Sequence, residues 1–304
     1  MNKLDYNYVG PNDEPHDATT FRIQASGIAG FFSYTNSWYR EKLLGEPGFI
    51  GSTASVLGTS IHWTIENYIK DGTLTPENKQ EMYDYIMLEA EKNPDLINEQ
   101  LIRRDLTPMW SNFKNYITNN PGGLVEPKVV LATDYHGITV GGSIDCLKPV
   151  DDETVYTDIE QLRGMTVDII DWKTTSSMSI PKRMSKDYEW QLLVYAYVIK
   201  TKYDITTRNI INMYITRPAI GRVSPTTGKP MKDYPAIYGE LIKPVTSESL
   251  DFIKSLIDVV AHSTYRFITT PADRYLLAQD MRLVGDTTVL PFTSIGQPAN
   301  NEDI

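Results

Sequence analysis

The sequence predicts a fold of the α/β class, with a helical first part and a second part that mixes strands with helices. Helical periodicity dominates residues 21–120. The turn signal NNPGG at residues 119–123 ends this pattern, and strand-like alternation begins after it. A helical segment at residues 185–203 then separates two groups of strands. With 304 residues and 41% hydrophobic residues, the chain is long enough to bury a large core.

The helical part begins after an N-terminal arm, residues 1–20, that is rich in proline and acidic residues and is expected to be flexible. Aromatic and leucine side chains in residues 26–46 are spaced for one packed helix. Isoleucines recur every four residues in segment 58–70, which predicts a second helix. Residues 77–118 predict one or two further helices, with a break near Pro94.

The strand-rich part begins with residues 126–135 and 138–150, which predict an antiparallel pair that turns near His136 and Gly137. A polar insertion, residues 151–164, follows this pair. The remaining elements are predicted as strands at 165–175, 211–220 and 238–245, and as helices at 185–203 and 246–267, the last with Thr246 as its N-cap.

The composition limits the kinds of function that fit. The net charge of −10 argues weakly against nucleic-acid binding, although carboxylates gathered around a divalent metal also make a chain acidic. Cys146 is the single cysteine, so a disulfide framework and cysteine-based zinc or iron–sulfur sites are excluded. No signal peptide or apolar run of roughly 18 residues is present, so we expect a cytoplasmic protein with no membrane partner.

Two groups of charged residues lie on predicted strands. Asp145 comes after two glycines, which allow backbone or ligand to approach closely. Asp171 and Lys173 share one face of the strand at 165–175, because side chains two residues apart on a strand point the same way. Taken alone, a strand-end aspartate most often caps a turn, and an Asp-x-Lys pair is usually a surface ion pair.

Two further groups lie on predicted helices. His62 and Glu66 are four residues apart and therefore share a helix face, as do Gln191 and Tyr195. Taken alone, each of these pairs is more often ordinary packing or a solvated helix face. The order of all four groups along the chain makes a common site the better hypothesis.

In that order the motifs GTSIH (58–62), GSID (142–145), DWKT (171–174) and QLLVY (191–195) resemble those of the RecB-type branch of the PD-(D/E)XK nuclease superfamily. The sequence differs from the superfamily pattern at Ile144, where the superfamily name has proline. The gap between the two aspartates is long, 26 residues (171 − 145), so an extended hairpin or inserted loop is expected there. The cysteines that hold an iron–sulfur cluster in some relatives are missing, so no such cluster is expected.

This resemblance implies a restriction-endonuclease-like core: a central mixed sheet of four to five strands flanked by helices, with a helical N-terminal extension. It implies one nuclease domain over residues 21–284, divided into a helical part (21–120) and a catalytic core (121–284). A polar tail, residues 285–304, would follow the domain.

The resemblance also implies a site for Mg²⁺ or Mn²⁺, as one or two ions. Its ligands would be His62, Asp145, Asp171 and the backbone carbonyl of Trp172, with Glu66 supporting them from behind. Carboxylate oxygens suit Mg²⁺, and an imidazole ligand makes Mn²⁺ a good substitute. Lys173 would orient the attacking water or stabilise the charged transition state, and the helix pair Gln191 and Tyr195 would position water or phosphate.

The implied activity is a metal-dependent DNA exonuclease that acts on single- or double-stranded ends in recombination, repair or phage DNA processing. A structure-specific or defence-related endonuclease and a catalytically silent nucleic-acid-binding scaffold are the alternatives. Separate recombination or single-strand-binding proteins fit as partners, and the oligomeric state stays open. Six basic residues are candidates for DNA backbone contacts: Lys182, Arg183, Lys186, Arg22, Arg40 and Lys42.

Overall fold

The computed structural model describes residues 21–43, 51–177, 179–221, 223, 226–230 and 232–269. The predicted arm (1–20) and tail (285–304) lie outside the described residues, as does the end of the predicted domain beyond residue 269. Within the described part, no helix combines the length and the apolar character that crossing a lipid bilayer requires.

The helical part contains more helices than the sequence predicts. The single helix expected over residues 26–46 is wrong, because the chain breaks at Tyr34, where the Thr35 hydroxyl donates to the Phe31 carbonyl at 2.6 Å. The expected break near Pro94 is confirmed. The helices of this part are α1 (Gly27–Ser33), α2 (Thr35–Leu43), α3 (Thr53–Asp71), α4 (Pro76–Lys92) and α5 (Glu99–Asn119).

Local signals fix both ends of α3, the helix that carries His62. Ser52 and Ser55 form a reciprocal capping box at its start, which satisfies backbone N–H groups that have no partner within the helix. Gly72 ends the helix with a left-handed φ of 69°, a conformation that glycine adopts without strain. These signals hold α3 in one register along its length.

A five-stranded mixed sheet forms the centre of the molecule, which confirms the predicted fold class. Its order is β2-β5-β6-β7-β8, with β6 and β7 parallel and the other pairs antiparallel. The strands are β2 (Leu124–Val125), β5 (Cys146–Pro149), β6 (Thr166–Thr175), β7 (Thr206–Thr216) and β8 (Tyr238–Pro244). Helix α6 (Lys186–Tyr203) makes the crossover between β6 and β7, and α7 (Ser247–Thr269) follows β8.

A second, three-stranded sheet was not predicted. It contains β1 (Phe21–Gln24), β3 (Lys128–Ala132) and β4 (Ile138–Ser143) in the order β1-β4-β3. The expected antiparallel hairpin of β3 and β4 is confirmed. The expectation of one strand over 138–150 is wrong, because the chain leaves this sheet after Ser143 and joins the five-stranded sheet as β5.

The central sheet separates two hydrophobic cores. Alternate residues of β6 face opposite sides: Val167 and Ile169 pack with α6 and α7, whereas Ile170 and Trp172 pack with α3 and α5. The long connection between β5 and β6, residues 150–165, carries the polar insertion, as the spacing of the two aspartates predicts, and includes a 3₁₀ turn at Ile159–Leu162. Both faces of the sheet are therefore covered. Asp168, near the start of β6, pairs with Arg208, whereas Asp171 and Lys173 lie toward the other end of the strand.

Gly141 of β4 is expected to be essential for the β3–β4 pairing. A Cβ at this position would lie 2.0 Å from the Val129 carbonyl oxygen, a backbone atom that cannot move without breaking the ladder. Gly141→Ala should cost about 3 kcal/mol or more in the free energy of unfolding, measured by urea denaturation.

Gly30→Ala is the matched control. Its Cβ would make an ordinary 3.8 Å contact with Trp38, and alanine favours the helix, so we expect a neutral or stabilising effect. Equal effects of the two substitutions would contradict the steric argument at Gly141.

Candidate active site

The centre of the site is a fork in the chain, where the backbone passes from the three-stranded sheet to the five-stranded sheet. Cys146 pairs with Ile170, so Ile144 would lie opposite Trp172 if the β5–β6 ladder continued. Instead, the Ile144 N–H donates to the Pro127 carbonyl at 3.1 Å. The Asp145 carboxylate takes the vacant place in the ladder: its Oδ2 accepts the Trp172 N–H at 2.8 Å.

Asp171 and Lys173 stand beside this fork on β6, as the spacing predicts. The Lys173 Nζ donates to Asp171 Oδ1 at 2.8 Å, and it also lies 4.6 Å from the centre of the Tyr188 ring. The other oxygen, Asp171 Oδ2, accepts the Nδ2 of Asn212 at 2.8 Å. The two oxygens of Asp171 thus have separate donors that fix the plane of the carboxylate.

Asn212 is a site residue that the sequence analysis missed. It lies on β7 directly beside Asp171 in the parallel ladder, its side chain is fully buried, and its Oδ1 has no described hydrogen-bond partner. A polar residue within the apolar strand IINMYIT was the available signal. The contact with Asp171 could not be predicted, because it depends on a strand register set across 41 residues.

His62 reaches the fork from α3. Its Nδ1 lies 3.4 Å from Asp145 Oδ2, and the imidazole also hydrogen-bonds to the backbone of Trp172. Gly58, one helical turn earlier, allows this approach, because a Cβ there would lie only 3.2 Å from the Thr174 hydroxyl. In the motif GTSIH, the missing side chain of Gly58 therefore lets α3 pack close to β6, and His62 is then near enough to contact Asp145.

Two glutamates border Asp145. Glu66, predicted to support the ligands, forms an ion pair with Lys70 one turn further along α3. Glu126, which the sequence analysis missed, donates its backbone N–H to the Asp145 carbonyl at 3.2 Å and has a left-handed φ of 54°, unusual for a side-chain-bearing residue. Burial, followed by repulsion from Asp145 and Glu66, raises the pKa of Glu126 to about 7.

Gln191 and Tyr195 lie on α6, and the Gln191 side chain acts to lower the pKa of Tyr195. The Tyr195 side chain is buried and lies over the backbone of Gly142, where a Cβ would come within 2.8 Å of its hydroxyl. Burial raises the pKa of Tyr195, and nearby Asp145 and Asp171 raise it further, so the hydroxyl stays protonated at neutral pH. The motif GSID thus needs its glycine to make room for this tyrosine.

The two aspartates are held in a state that disfavours their charge. Burial raises the pKa of Asp145 to about 6 and also that of Asp171 to about 6, although Lys173 opposes both shifts. Burial lowers the pKa of Lys173, but Asp171 and Asp145 more than offset this effect, so the net shift is upward and the amine stays charged. One ammonium therefore does not balance the carboxylates around it.

His62 is the neutral member of the site. Burial, followed by repulsion from Lys173, lowers its pKa to about 4. At neutral pH the imidazole carries no charge, and a neutral imidazole is the form that binds a metal ion.

The donor set fits a hard divalent cation in its chemistry, although no three His, Cys, Asp or Glu side chains in the described ranges converge as a ready-made metal cluster. The residues that could hold such an ion are Asp145 and Asp171, with His62 and the Trp172 carbonyl beside them. Burial raises both aspartate pKa values, and a bound cation would offset this effect together with the smaller repulsion from neighbouring carboxylates.

The predicted DNA-contacting residues fall into two groups. Lys182 and Arg183, in the loop after β6, and Lys186, at the start of α6, are all exposed and form no described ion pair. Arg22 on β1 has a buried Nε without a described hydrogen-bond partner. Lys42 lies 3.8 Å from the neighbouring Glu41, and the side chain of Arg40 lies outside the described residues.

A mixed sheet that presents two aspartates and a lysine beside a helix-borne histidine is the framework of a hydrolytic nuclease. Residues 35–219 match the family model of the PD-(D/E)XK nuclease superfamily, and the chain belongs to this superfamily. Its members generally use divalent metal ions and act on DNA.

Comparison with other proteins gives more distant similarities. A crystal structure of a candidate exonuclease from Eubacterium rectale is 13% identical, with a TM-score of 0.45, covering 81% of this chain and 80% of its own. The crystal structure of SSO0001 is 14% identical, with a TM-score of 0.28, covering 76% of this chain and 83% of its own. No curated protein matches the sequence significantly.

The raised pKa of Asp145 predicts a pH-dependent gain in stability on its neutralisation. Below the ordinary pKa of 3.8 the carboxyl is protonated both folded and unfolded, so Asp145→Asn should change little. Between pH 3.8 and about 6 the unfolded carboxyl ionises while the folded one stays protonated, so the parent loses stability over this range. Above about pH 6 the substitution should therefore be stabilising by about 3 kcal/mol. Urea denaturation in EDTA from pH 4 to pH 8 measures the difference.

Asp95→Asn, at an exposed aspartate, is the control and should show no such trend. A stabilisation by Asp145→Asn that is absent at pH 8, or equal at pH 4 and pH 8, would contradict the electrostatic account of the fork.

Proposed function

We propose that this chain is a metal-dependent deoxyribonuclease of the RecB-type branch that acts as an exonuclease on DNA ends. The observation that carries the proposal is the convergence of Asp145, Asp171 and Lys173 at the fork between the two sheets. Two motifs that are 26 residues apart in the sequence (171 − 145) meet there, and charges scattered at random over a surface would not be expected to meet in this way.

The metal ion would polarise the phosphoryl oxygen and activate water for hydrolysis. Asp145 and Asp171 would hold it, and the donors Trp172 N–H and Asn212 fix how their oxygens point. His62, neutral at the working pH, would complete the ligand set from the side of α3. We therefore assign the fork as a binding site whose ligands are oriented before the ion arrives.

Lys173 has the central role in the chemistry. Its side chain is 18% exposed, and the ammonium remains charged and is held against Asp171, so it can orient the attacking water or stabilise the negative charge that develops on the phosphoryl oxygens. Gln191 and Tyr195, one turn apart on α6, would position the water or the phosphate. A DNA strand would reach these groups past the exposed cations Lys182, Arg183 and Lys186.

Loss of Lys173 should remove DNA cleavage while the fold stays intact. With end-labelled single- and double-stranded DNA, the parent should release nucleotides in Mg²⁺ or Mn²⁺ and not in EDTA. Lys173→Ala should reduce the rate at least about 100-fold, because it removes a charged group that stabilises the transition state. Lys200→Ala, at an exposed lysine of the same helix-flanked core, is the control and should cleave normally.

Full cleavage by Lys173→Ala would refute the proposed mechanism. The same assay with covalently closed circular DNA tests the mode of action. An exonuclease leaves circles intact, whereas cleavage of circles would replace the exonuclease assignment with an endonuclease. Nucleotides released first from one labelled end would give the polarity.

Binding of Mn²⁺ should stabilise the parent, because the ion binds only the folded fork. At 100 times the dissociation constant this linkage is worth about 2.7 kcal/mol, enough for a clear rise in the melting temperature. Asp171→Asn should abolish the rise and His62→Ala should reduce it, as measured by differential scanning fluorimetry. A parent without any response would favour the silent scaffold, and an unchanged response in His62→Ala would return this residue to a packing role.

A further inference from the structure

A groove between α3, α4 and α5 forms a second candidate site, distinct from the fork. It has a volume of about 370 Å³. Four partly buried aromatic side chains line it: Trp63, Tyr68, Tyr83 and Trp110. The Tyr68 and Trp110 rings meet edge to face with their centres 5.1 Å apart, so the groove has rigid aromatic walls.

The charge of the groove is opposite to that of the chain as a whole. Lys79 and Lys114 line it, and the lining contains no aspartate or glutamate, although the net charge of the protein is −10. Lys114 Nζ lies 5.3 Å from the centre of the Tyr68 ring, and the Arg103 guanidinium lies 4.4 Å from that of Tyr83. Neither lining lysine has a carboxylate partner among the described residues, so both ammonium groups are available to an anion.

Aromatic faces beside unpaired lysines match one kind of polymer. Unpaired bases stack on aromatic rings, while the phosphates between them bind ammonium groups. A duplex hides the faces of its bases, and a cavity of about 370 Å³ admits single bases rather than a double helix. We propose that this groove binds a single-stranded segment of the DNA substrate, an inference that rests on the proposed nuclease function and adds the substrate class to it.

The position of the groove relative to the fork fits this role. Trp63 directly follows His62 on α3, and successive helical side chains diverge by about 100°, so groove and fork lie on different sides of one helix. The separation is about one helix diameter, roughly 10 Å. The groove would therefore bind nucleotides that lie further along the same strand than the phosphate under attack. It would favour substrates with a single-stranded end.

The double variant Lys79→Ala with Lys114→Ala tests the groove. Both side chains are exposed, so the fold should survive. Fluorescence anisotropy in EDTA should show binding of a labelled 20-nucleotide oligothymidine weakened about tenfold. The slope of log K against log salt should fall by about 1.4, which is about 0.7 for each phosphate contact on a single strand. Binding of a blunt 20-base-pair duplex should change less than twofold.

The matched control is Lys92→Ala with Lys254→Ala, which removes two charges from exposed lysines elsewhere and should leave both affinities unchanged. Unchanged binding of the single strand by the groove variant, or an equal loss on the duplex, would overturn the inference. Binding in EDTA does not depend on cleavage, so a parent that binds oligothymidine through the groove but cuts no DNA would refute the proposed function and leave the groove standing.

Discussion

The hydrogen bond from the Trp172 N–H to the Asp145 carboxylate is the interaction on which the site depends. A strand that continued past Cys146 would have satisfied this N–H with a backbone carbonyl. Since the residues up to Ser143 belong to β4 in the other sheet, the Asp145 side chain accepts this N–H instead, and its carboxylate is thereby held against β6. Loss of ladder pairing and assembly of the site are two consequences of the same fork in the backbone.

The fork also explains why the site is electrostatically unfavourable without a bound cation. β6 is buried on both faces, so Asp171 leaves the strand into a poorly hydrated space, where its neighbours are Asp145 and a single ammonium. Asn212 adds a hydrogen bond and no charge. Burying carboxylates in excess of cations costs stability, and a protein retains such an arrangement where function requires it.

The sequence predicted the parts of the structure that depend on local signals. Gly58 and Gly142 each precede a polar residue at short range, so the motifs GTSIH and GSID could be recognised without coordinates. Asn212 and Glu126 could not be recognised from the sequence, because their contacts with Asp171 and Asp145 depend on the strand register and on the fork. The change of sheet was not predicted, because the apolar alternation of the sequence continues through Ile144. Strand β1 was not predicted either, because it has only four residues and its partner β4 lies more than 100 residues away in the sequence.

The net charge of the protein is a poor guide to its partner, because the charges are separated in space. The fork concentrates carboxylates that a metal ion would neutralise, whereas Lys182, Arg183 and Lys186 are exposed in the segment between β6 and the start of α6. The groove behind α3 adds two lysines among aromatic rings, again without carboxylates. The acidic total is therefore compatible with a DNA substrate, and α3, with His62 facing the fork and Trp63 facing the groove, would be the element that links cleavage to the choice of strand.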